Sequence, residues 1–273
     1  KLGNIEGSNN RITGKLPMLN FPELKTCSLE DNAIADISQL QTSKVHRLEK
    51  LMLSRNIIGG RLPPLSLHHL NVLKLETNKI ENISSIEKWE LPSLEQLDLS
   101  NNSIAGRLPK LDPPKLREAK FANNALTDVS NLSGSRLGAL QKLDFSSNRL
   151  ARLPVLSLLQ LLELDLSSNC LESVDRLDQS RLPRLRRLVL SGNGMQGGLP
   201  EIYAPHLQEI VLDDNDFSSV ASLAQTHLLP SLKSVSLKNN KKINRNNELM
   251  VFNPIPFANF FKRMEDFAVR HHS

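Results

Sequence analysis

The sequence contains few large aromatic rings for its length. Aromatic residues make up 4% of its 273 residues, with one tryptophan, one tyrosine and nine phenylalanines. So few rings would fill a globular core poorly, which favours an interior built from aliphatic side chains. No apolar run approaches the roughly 20 residues that cross a bilayer as a helix. The sequence therefore predicts no membrane span.

Cysteine is scarce as well: the chain has only Cys27 and Cys170. In the repeat described below they fall six coils apart, too far for a disulfide, whose Cα atoms lie within roughly 7 Å of each other. Unpaired thiols favour an intracellular location. We interpret the N-x-S sequons at Asn82, Asn101 and Asn131 as chance matches, because asparagine and serine are both abundant in the repeat.

The sequence also lacks the short motifs of metal, phosphate and redox sites. It contains no C-x-x-C, no H-E-x-x-H, no glycine-rich phosphate loop and no D-x-D-x-D calcium loop. None of its histidines falls on a predicted strand position where side chains would converge. These are His46, His68, His69, His206, His227, His271 and His272. We therefore predict no enzyme, no catalytic residue, no metal and no cofactor.

Charge of one sign does not dominate. The net charge is +5, and the 34 basic residues are interspersed with 29 acidic ones. Nucleic-acid binders usually segregate their basic residues on one face, so this distribution argues against a nucleic-acid partner. One basic concentration leaves contact with a phosphate or an acidic peptide as the alternative to a solvated surface. It consists of Arg176, Arg181, Arg184, Arg186 and Arg187.

What the sequence has in abundance is a single pattern of leucine and asparagine. Residues 161–171 read L-x-x-L-x-L-x-x-N-x-L, and this window recurs along the chain. The alternating leucines predict a short strand with leucines pointing inward. The asparagine amide can bond the inward-turned backbone of its own coil and of the next one. The asparagines are Asn10, Asn32, Asn56, Asn78, Asn102, Asn124, Asn148, Asn169, Asn193, Asn215 and Asn240.

The spacing of these asparagines alternates along the chain. Successive distances are 22, 24, 22, 24, 22, 24, 21, 24, 22 and 25, so the repeating unit is a pair of coils. The shorter segments, such as residues 105–109 (A-G-R-L-P), predict an extended return because proline disfavours a helix before it. The longer segments carry apolar residues at a spacing of three, which predicts a 3-10 or short helical turn.

This pattern resembles the leucine-rich-repeat superfamily along the whole chain. The longer repeats are similar to those of a phosphatase-regulating subfamily, and the shorter ones to plant and bacterial L-P repeats. The resemblance implies an α/β solenoid: a right-handed arc of about eleven coils with a parallel concave sheet. It places extended and 3-10 or short helical returns on the convex side. Because the cysteine-rich caps typical of secreted members are missing, it also implies a cytoplasmic or cytoskeletal protein.

We divide the chain into a solenoid, residues 1–243, and a C-terminal segment, residues 244–273. The spacing of the apolar residues in that segment predicts an amphipathic helix. Its phenylalanines are Phe252, Phe257, Phe260, Phe261 and Phe267. We expect the helix to cap the apolar flank and free strand edge of the last coil, with docking to a partner as the alternative. The first residues are already in repeat register, and we expect sequence before them.

Two columns of residues, named here by their first members, are predicted to line the concave sheet. The Asn4 column is Asn4, Thr26, Lys50, Val72, Gln96, Glu118, Lys142, Glu163, Arg187, Glu209 and Ser234. The Glu6 column is Glu6, Ser28, Met52, Lys74, Asp98, Lys120, Asp144, Asp165, Val189, Val211 and Ser236. Alternating charges from Lys74 to Asp144 predict a ladder of ion pairs, each contributing only about 0–1 kcal/mol. Val189 and Val211 predict an exposed apolar patch beside Arg187.

The functional interpretation of these columns is recognition of a protein of mixed charge. The candidate binding residues are Lys50, Met52, Lys74, Asp98, Lys120, Asp144, Asp165, Arg187, Val189 and Val211. Eleven strands at about 4.8 Å would span roughly 50 Å, a length that favours a large partner. We therefore predict a non-enzymatic protein–protein interaction scaffold. The alternatives are the ligand-recognition region of a receptor or immune sensor, and a regulatory or targeting module of an enzyme encoded by flanking sequence.

Overall fold

The computed structural model describes residues 2–224 and 229–243. Their backbone forms one parallel sheet of eleven strands, the main sheet, in which each strand pairs with the strands of the adjacent coils. We number the coils 1 to 11 by these strands. They are Asn4–Glu6, Thr26–Ser28, Lys50–Met52, Val72–Lys74, Gln96–Asp98, Glu118–Lys120, Lys142–Asp144, Glu163–Asp165, Arg187–Val189, Glu209–Val211 and Ser234–Ser236. The predicted parallel-strand solenoid is confirmed, with ten turns of chain joining the eleven strands.

The predicted C-terminal helix and the histidines His227, His271 and His272 lie outside the described residues. In the described part, the middle residue of each main-sheet strand from coil 2 onward points into one continuous core, which runs from Leu16 to Val235. The core is aliphatic apart from a few rings, among them Phe121 and Phe145, whose centroids are 5.4 Å apart. Stacking the coils is what buries the leucines, since a single coil has no other apolar surface to cover them.

The geometry that recurs in each turn depends on the asparagine. In coil 7 the Asn148 side chain is 7% exposed. Its Nδ2 donates to the carbonyl oxygens of Phe145, 3.0 Å away in the same coil, and Phe121, 2.9 Å away in the preceding coil. Its Oδ1 accepts from the Leu126 N–H, also in the preceding coil, at 3.0 Å. The predicted bonding between coils is thus present, but the partner is the preceding coil and not the next one.

A second feature of each turn was not predicted from the pattern. The residue before every one of these asparagines has a left-handed backbone, with φ between 53° and 64°. These residues are Asn9, Asp31, Arg55, Thr77, Asn101, Asn123, Ser147, Ser168, Gly192, Asp214 and Asn239. Asparagine and aspartate tolerate this conformation better than other non-glycine residues do, which accounts for their frequency here.

The even-numbered coils carry short 3-10 helices in their returns. They span Ser38–Thr42, Ser84–Lys88, Ser130–Gly134, Asp175–Leu177 and Ala221–Ala224. In coil 6 the Asp128 Oδ1 accepts from the N–H of Ser130, the first residue of the helix, at 2.7 Å. This bond is the main reason why the pKa of Asp128 lies below its usual value, and the Arg107 guanidinium adds to the effect.

Short two-stranded parallel sheets link coils in pairs. Thr13–Lys15 pairs with Ala33–Asp36, Gly59–Arg61 with Lys79–Asn82, Ala105–Arg107 with Ala125–Asp128, and Gln196–Gly198 with Asp216–Ser219. The first strand of each pair contains a glycine with φ between 64° and 78°, next to a register shift. The paired unit predicted from the asparagine spacing therefore has a structural basis in coils 1–2, 3–4, 5–6 and 9–10.

Coils 7 and 8 depart from this arrangement. In the described residues no two-stranded sheet joins them. Residues 149–153 read R-L-A-R-L, whereas residues 103–108 read S-I-A-G-R-L, so coil 7 is one residue shorter and lacks the glycine. Without a residue that accepts a positive φ, the chain cannot make the register shift that the other pairs use.

Candidate functional site

The main sheet brings the two predicted columns together in register. Lys50 pairs with Val72, Met52 with Lys74, and Asp144 with Asp165, as expected for parallel strands from adjacent coils. Because the middle residue of each strand is directed to the core, the flanking residues of both columns lie on the opposite side of the sheet. Lys50, Met52 and Lys74 are exposed or half-buried there. We refer to this side as the sheet face.

The predicted ladder of alternating charges is only partly formed. Lys120 Nζ lies 4.0 Å from Asp98 Oδ2 and 2.8 Å from Glu118 Oε1. In the described part of the chain no ion pair within 4.0 Å joins Lys74 to Asp98, or Lys120 to Asp144. The prediction of a continuous ladder is therefore wrong.

The aspartates have nearer partners in their own turns. Asp98 Oδ1 accepts from the N–H of Ser100 at 3.0 Å, and Asp144 Oδ1 accepts from the N–H of Ser146 at 2.8 Å. A carboxylate at the end of a strand can accept a hydrogen bond from a backbone N–H of the turn that follows. A lysine of the adjacent coil must compete with that bond for the carboxylate. The pKa of Lys120 is raised, chiefly by its hydrogen bond to Glu118.

On this face the closer ion pairs between coils occur in the Asn4 column. Lys142 Nζ lies 2.9 Å from Glu163 Oε1, and Arg187 Nε lies 2.9 Å from Glu209 Oε2. These four side chains are 40–50% exposed, so each pair contributes only about 0–1 kcal/mol to stability. The pairs set the orientation of the side chains more than they stabilise the fold.

A shallow groove lies on the sheet face across coils 6 to 9, with a volume of about 260 Å³. Its charged lining residues are Glu118, Lys120, Lys142, Asp144, Glu163, Asp165 and Arg187. Asp144 and Asp165 are direct neighbours in the Glu6 column. Asp165 Oδ1 accepts from both the N–H and the Oγ–H of Ser167, at 2.9 and 2.6 Å. The groove thus combines four carboxylates with three cations.

The predicted valine patch is not exposed as expected. Val189 and Val211 are direct neighbours, but Val189 is only 7% exposed and Val211 is half-buried. Val189 is a short side chain that stands between Asp165 and Val211, beside the ion-paired Arg187. Its small apolar surface is therefore largely covered, and the prediction of an apolar centre at this position is wrong.

The described histidines and cysteines are not part of this surface. His46, His68, His69 and His206 are exposed and lie outside the main-sheet strands. Both cysteines are free, and Cys27 is buried in the core, where burial raises the pKa of its thiol to about 11. In the described ranges no three side chains of His, Cys, Asp or Glu are grouped so as to hold a metal ion.

The predicted arginine concentration is divided among different partners. Arg187 pairs with Glu209, and Arg184 Nη1 donates to Gln160 Oε1 at 2.6 Å. Arg176, Arg181 and Arg186 are exposed. The arginines therefore extend from the return of coil 8 to the strand of coil 9 without forming one pocket among the described cavities.

The sequence did not indicate the larger cavity, of about 700 Å³, which lies in the returns of coils 3 to 6. Trp89, the single tryptophan of the chain, lines it. Aligning the coils on their asparagines would have provided a signal, because coils 2, 6 and 8 have serine at the position of Trp89.

Across residues 2–224 and 229–243 no helix is long and apolar enough to span a membrane.

Comparison with known proteins supports the repeat interpretation. A leucine-rich-repeat family model matches residues 64–104. Comparison with curated protein sequences gives no significant match.

Among solved structures, a TDR receptor is 19% identical with a TM-score of 0.58, and the match covers 86% of this chain and 47% of that one. The APL1 leucine-rich-repeat domain is 21% identical with a TM-score of 0.54, covering 82% and 65%. The functional domain of InlJ from Listeria monocytogenes is 17% identical with a TM-score of 0.52, covering 82% and 50%. The chain thus spans about half the length of two of these structures, and at these identities the likeness concerns the fold.

Proposed function

We propose that this chain, a leucine-rich-repeat protein, is a non-enzymatic scaffold that binds a protein partner along its sheet face. The observation that carries the proposal is the pair of in-register columns that crosses the whole main sheet on the side away from the core, where all their residues except Ser28 and Val189 are exposed or half-buried. A solenoid core needs only the inward residues of each strand, so the outward residues are free to serve recognition. In the arc expected from the sequence, this face is the concave one.

The charges of the sheet face support a partner of mixed charge. Coils 3 and 4 present Lys50 and Lys74 together with the half-buried Met52 and Val72. Coils 7 and 8 present the adjacent carboxylates of Asp144 and Asp165. A partner that spans both regions would need acidic and apolar groups at one end and basic groups at the other.

The sharpest test removes charge from the sheet face and keeps the turns intact. Asp144→Asn combined with Asp165→Asn retains an oxygen to accept from the N–H groups of Ser146 and Ser167. The matched control is Asp175→Asn combined with Asp178→Asn, at exposed positions in the return of coil 8. A protein captured from native extract by the parent chain and the control, but lost with the sheet-face variant, supports the proposal. Identical captured proteins for all three chains contradict it.

We further propose an intracellular site of action, cytoplasmic or cytoskeletal, which the free Cys27 and Cys170 support. The competing candidate is a ligand-recognition region that is secreted or part of a receptor. The L-P repeats are the observation that favours this candidate. Of the three sequons, Asn131 is half-buried and its Nδ2 donates to the Leu108 carbonyl at 3.0 Å. The Asn101 amide accepts from Asn123 at 2.9 Å.

Asn82 and Asn101 are thus the two exposed sequons, and Asn82 is the one to examine because its side chain makes no bond to another coil. The Asn82 side chain is exposed, and only its oxygen is hydrogen-bonded, accepting at 2.9 Å from the N–H of Ser84, the first residue of the following 3-10 helix. Mass spectrometry of the native protein should find an unmodified Asn82 if the protein is intracellular. A glycan at Asn82 favours the receptor candidate.

A further inference from the structure

The larger cavity lies on the return side of the solenoid, away from the sheet face. It occupies the junction between coils 4 and 5 and has a volume of about 700 Å³, within the range of ligand pockets. None of its lining residues belongs to a main-sheet strand. Those that the argument uses are Glu87, Trp89, Glu90, Lys110 and Asp112.

Trp89 departs from the repeat in which it stands. It follows the asparagine of its coil by eleven residues, a position that is serine in coils 2, 6 and 8. Those serines are Ser43, Ser135 and Ser180, whose hydroxyl oxygens accept from backbone N–H groups of the preceding coil. In coil 4 the Trp89 indole Nε1–H donates to the Pro63 carbonyl at 3.1 Å. The ring is thus held at one edge, packs on the core and lines the cavity.

The charge around Trp89 is acidic. Glu87, Glu90 and Asp112 contribute three carboxylates, and Lys110 is the one lysine or arginine in the lining. Lys110 Nζ is already paired with Asp112 Oδ2 at 2.9 Å. Within the described residues, neither Glu87 nor Glu90 has a basic side chain within 4.0 Å. A cation in the cavity would therefore meet two carboxylates that are not in a close ion pair with a lysine or arginine.

Neutral donors hold both glutamates in place. Glu87 Oε1 accepts from the Lys110 backbone N–H at 3.2 Å, and Glu90 Oε2 accepts from the Ser66 Oγ–H at 2.6 Å. Each carboxylate keeps its second oxygen for a further donor. Preorganised acceptors of this kind suit a planar cation that donates to more than one oxygen.

We propose that this cavity binds an arginine side chain from a basic peptide segment of a partner protein. The guanidinium lies against the Trp89 ring and donates to Glu87 and Glu90. Arginine fits better than lysine because its flat, weakly hydrated guanidinium both stacks on an aromatic ring and bonds two carboxylates at once. The cavity is larger than one side chain, so residues next to the arginine occupy the rest. This site adds a second surface to the scaffold and does not rest on binding at the sheet face.

The single tryptophan makes the proposal directly measurable. The probe is a capped pentapeptide of sequence Gly-Arg-Gly-Arg-Gly, titrated into the full chain while the fluorescence of Trp89 is followed. A second peptide replaces both arginines by citrulline, which keeps the shape and removes the charge, and a third replaces them by lysine. We expect a saturable fluorescence change with the arginine peptide, at least about tenfold weaker binding with citrulline, and intermediate binding with lysine.

Variants of the chain separate this site from general charge effects. Glu87→Gln combined with Glu90→Gln should weaken binding by at least about tenfold. Glu81→Gln, at an exposed position in the same coil that does not line the cavity, should leave binding unchanged. Trp89→Ser introduces the serine found at this position in coils 2, 6 and 8 and should lose binding, measured by calorimetry, with the unfolding midpoint monitored in parallel.

Several outcomes would overturn the proposal. The first is that the arginine peptide gives no saturable fluorescence change, and the second is that the citrulline peptide binds with the same affinity as the arginine peptide. The others are that the Glu87→Gln and Glu90→Gln double variant binds the arginine peptide as tightly as the parent chain, or that Trp89→Ser binds it undiminished. Asp144→Asn with Asp165→Asn should bind the probe normally, which keeps the result independent of the sheet face. If that sheet-face variant loses probe binding as well, the peptide binds elsewhere and this assignment is wrong.

Discussion

At the residue scale, each coil depends on two consecutive positions: a residue with a left-handed backbone and the asparagine after it. The first turns the chain toward the core. The second satisfies the polar groups that this turn buries, in its own coil and in the preceding one. Since a buried donor or acceptor without a partner costs about 1–3 kcal/mol, the asparagine stabilises the fold by pairing such groups rather than by its own burial.

We predict that Asn148→Ala lowers the free energy of unfolding by about 2–4 kcal/mol, because the Leu126 N–H and the carbonyls of Phe121 and Phe145 lose a buried partner together. Urea unfolding followed by circular dichroism measures the change. The control is Arg149→Ala, at the exposed next position, which should shift stability by less than about 0.5 kcal/mol. Equal midpoints for the parent chain and Asn148→Ala would contradict the role given to the asparagine.

We predict that Thr77→Asn raises stability by about 1 kcal/mol. Thr77 has φ 59°, a conformation that is unfavourable for a β-branched side chain and acceptable for asparagine. Its counterparts in coils 5 and 6 are Asn101 and Asn123, whose side chains bond each other at 2.9 Å, and an asparagine in coil 4 would extend this row. The control Thr127→Asn, in a strand with an ordinary φ, should give no gain in thermal unfolding temperature.

At the element scale, the short returns are held by the two-stranded sheets that join coils in pairs. In coils 5 and 6 the Arg107 Nε lies 2.6 Å from Asp128 Oδ2, across the register shift that follows Gly106. The same aspartate accepts from the N–H of Ser130, the first residue of the following 3-10 helix. One carboxylate therefore connects the return of one coil to the return of the next.

We predict that Gly106→Ala destabilises the chain by about 1–2 kcal/mol, the cost of a side chain in the left-handed region. Gly106 has φ 78° and no atom within 4 Å of where a Cβ would stand, so the cost comes from the backbone and not from a clash. Gly138→Ala is the matched control, with open space and an ordinary φ. That variant should be neutral or stabilising by about 0.4–1 kcal/mol in the same denaturation assay. Equal losses for both variants would contradict the argument.

At the scale of the whole molecule, stability comes from the contacts between neighbouring coils. A missing contact therefore weakens the structure mainly at the junction where it is missing. The junction of coils 7 and 8 lacks the two-stranded sheet that joins the other described pairs. In coils 5 and 6 the Leu108 N–H donates to the Asp128 carbonyl at 2.8 Å. Leu153 holds the corresponding place in coil 7, and the described backbone hydrogen bonds include none from its N–H.

We predict that the amide hydrogen of Leu153 exchanges at least about tenfold faster than that of Leu108, because local opening there breaks fewer bonds. Hydrogen exchange followed by NMR measures both amides in one experiment. Inserting a glycine between Ala151 and Arg152 restores the length and the flexible residue of the other pairs, and should slow exchange at Leu153. Equal protection of the two amides in the parent chain would show that the missing sheet does not weaken this junction.

The sequence by itself determined the coils, their pairing and the composition of both sheet-face columns. It could do so because the leucine, asparagine and glycine positions are local requirements of each turn, repeated every 21 to 25 residues. The outward residues follow from the inward ones through the alternation of a strand, so the register of Lys50, Lys74 and Asp144 was predictable.

Only the tertiary structure decided what the side chains of adjacent coils do to one another. It bonded Asp144 to its own turn instead of to a lysine, covered Val189, and opened a cavity beside Trp89. These outcomes depend on groups more than 20 residues apart in the chain that compete for the same partner or the same space. A repeat pattern states which residue stands at each position, but it does not state which of several available contacts that residue makes.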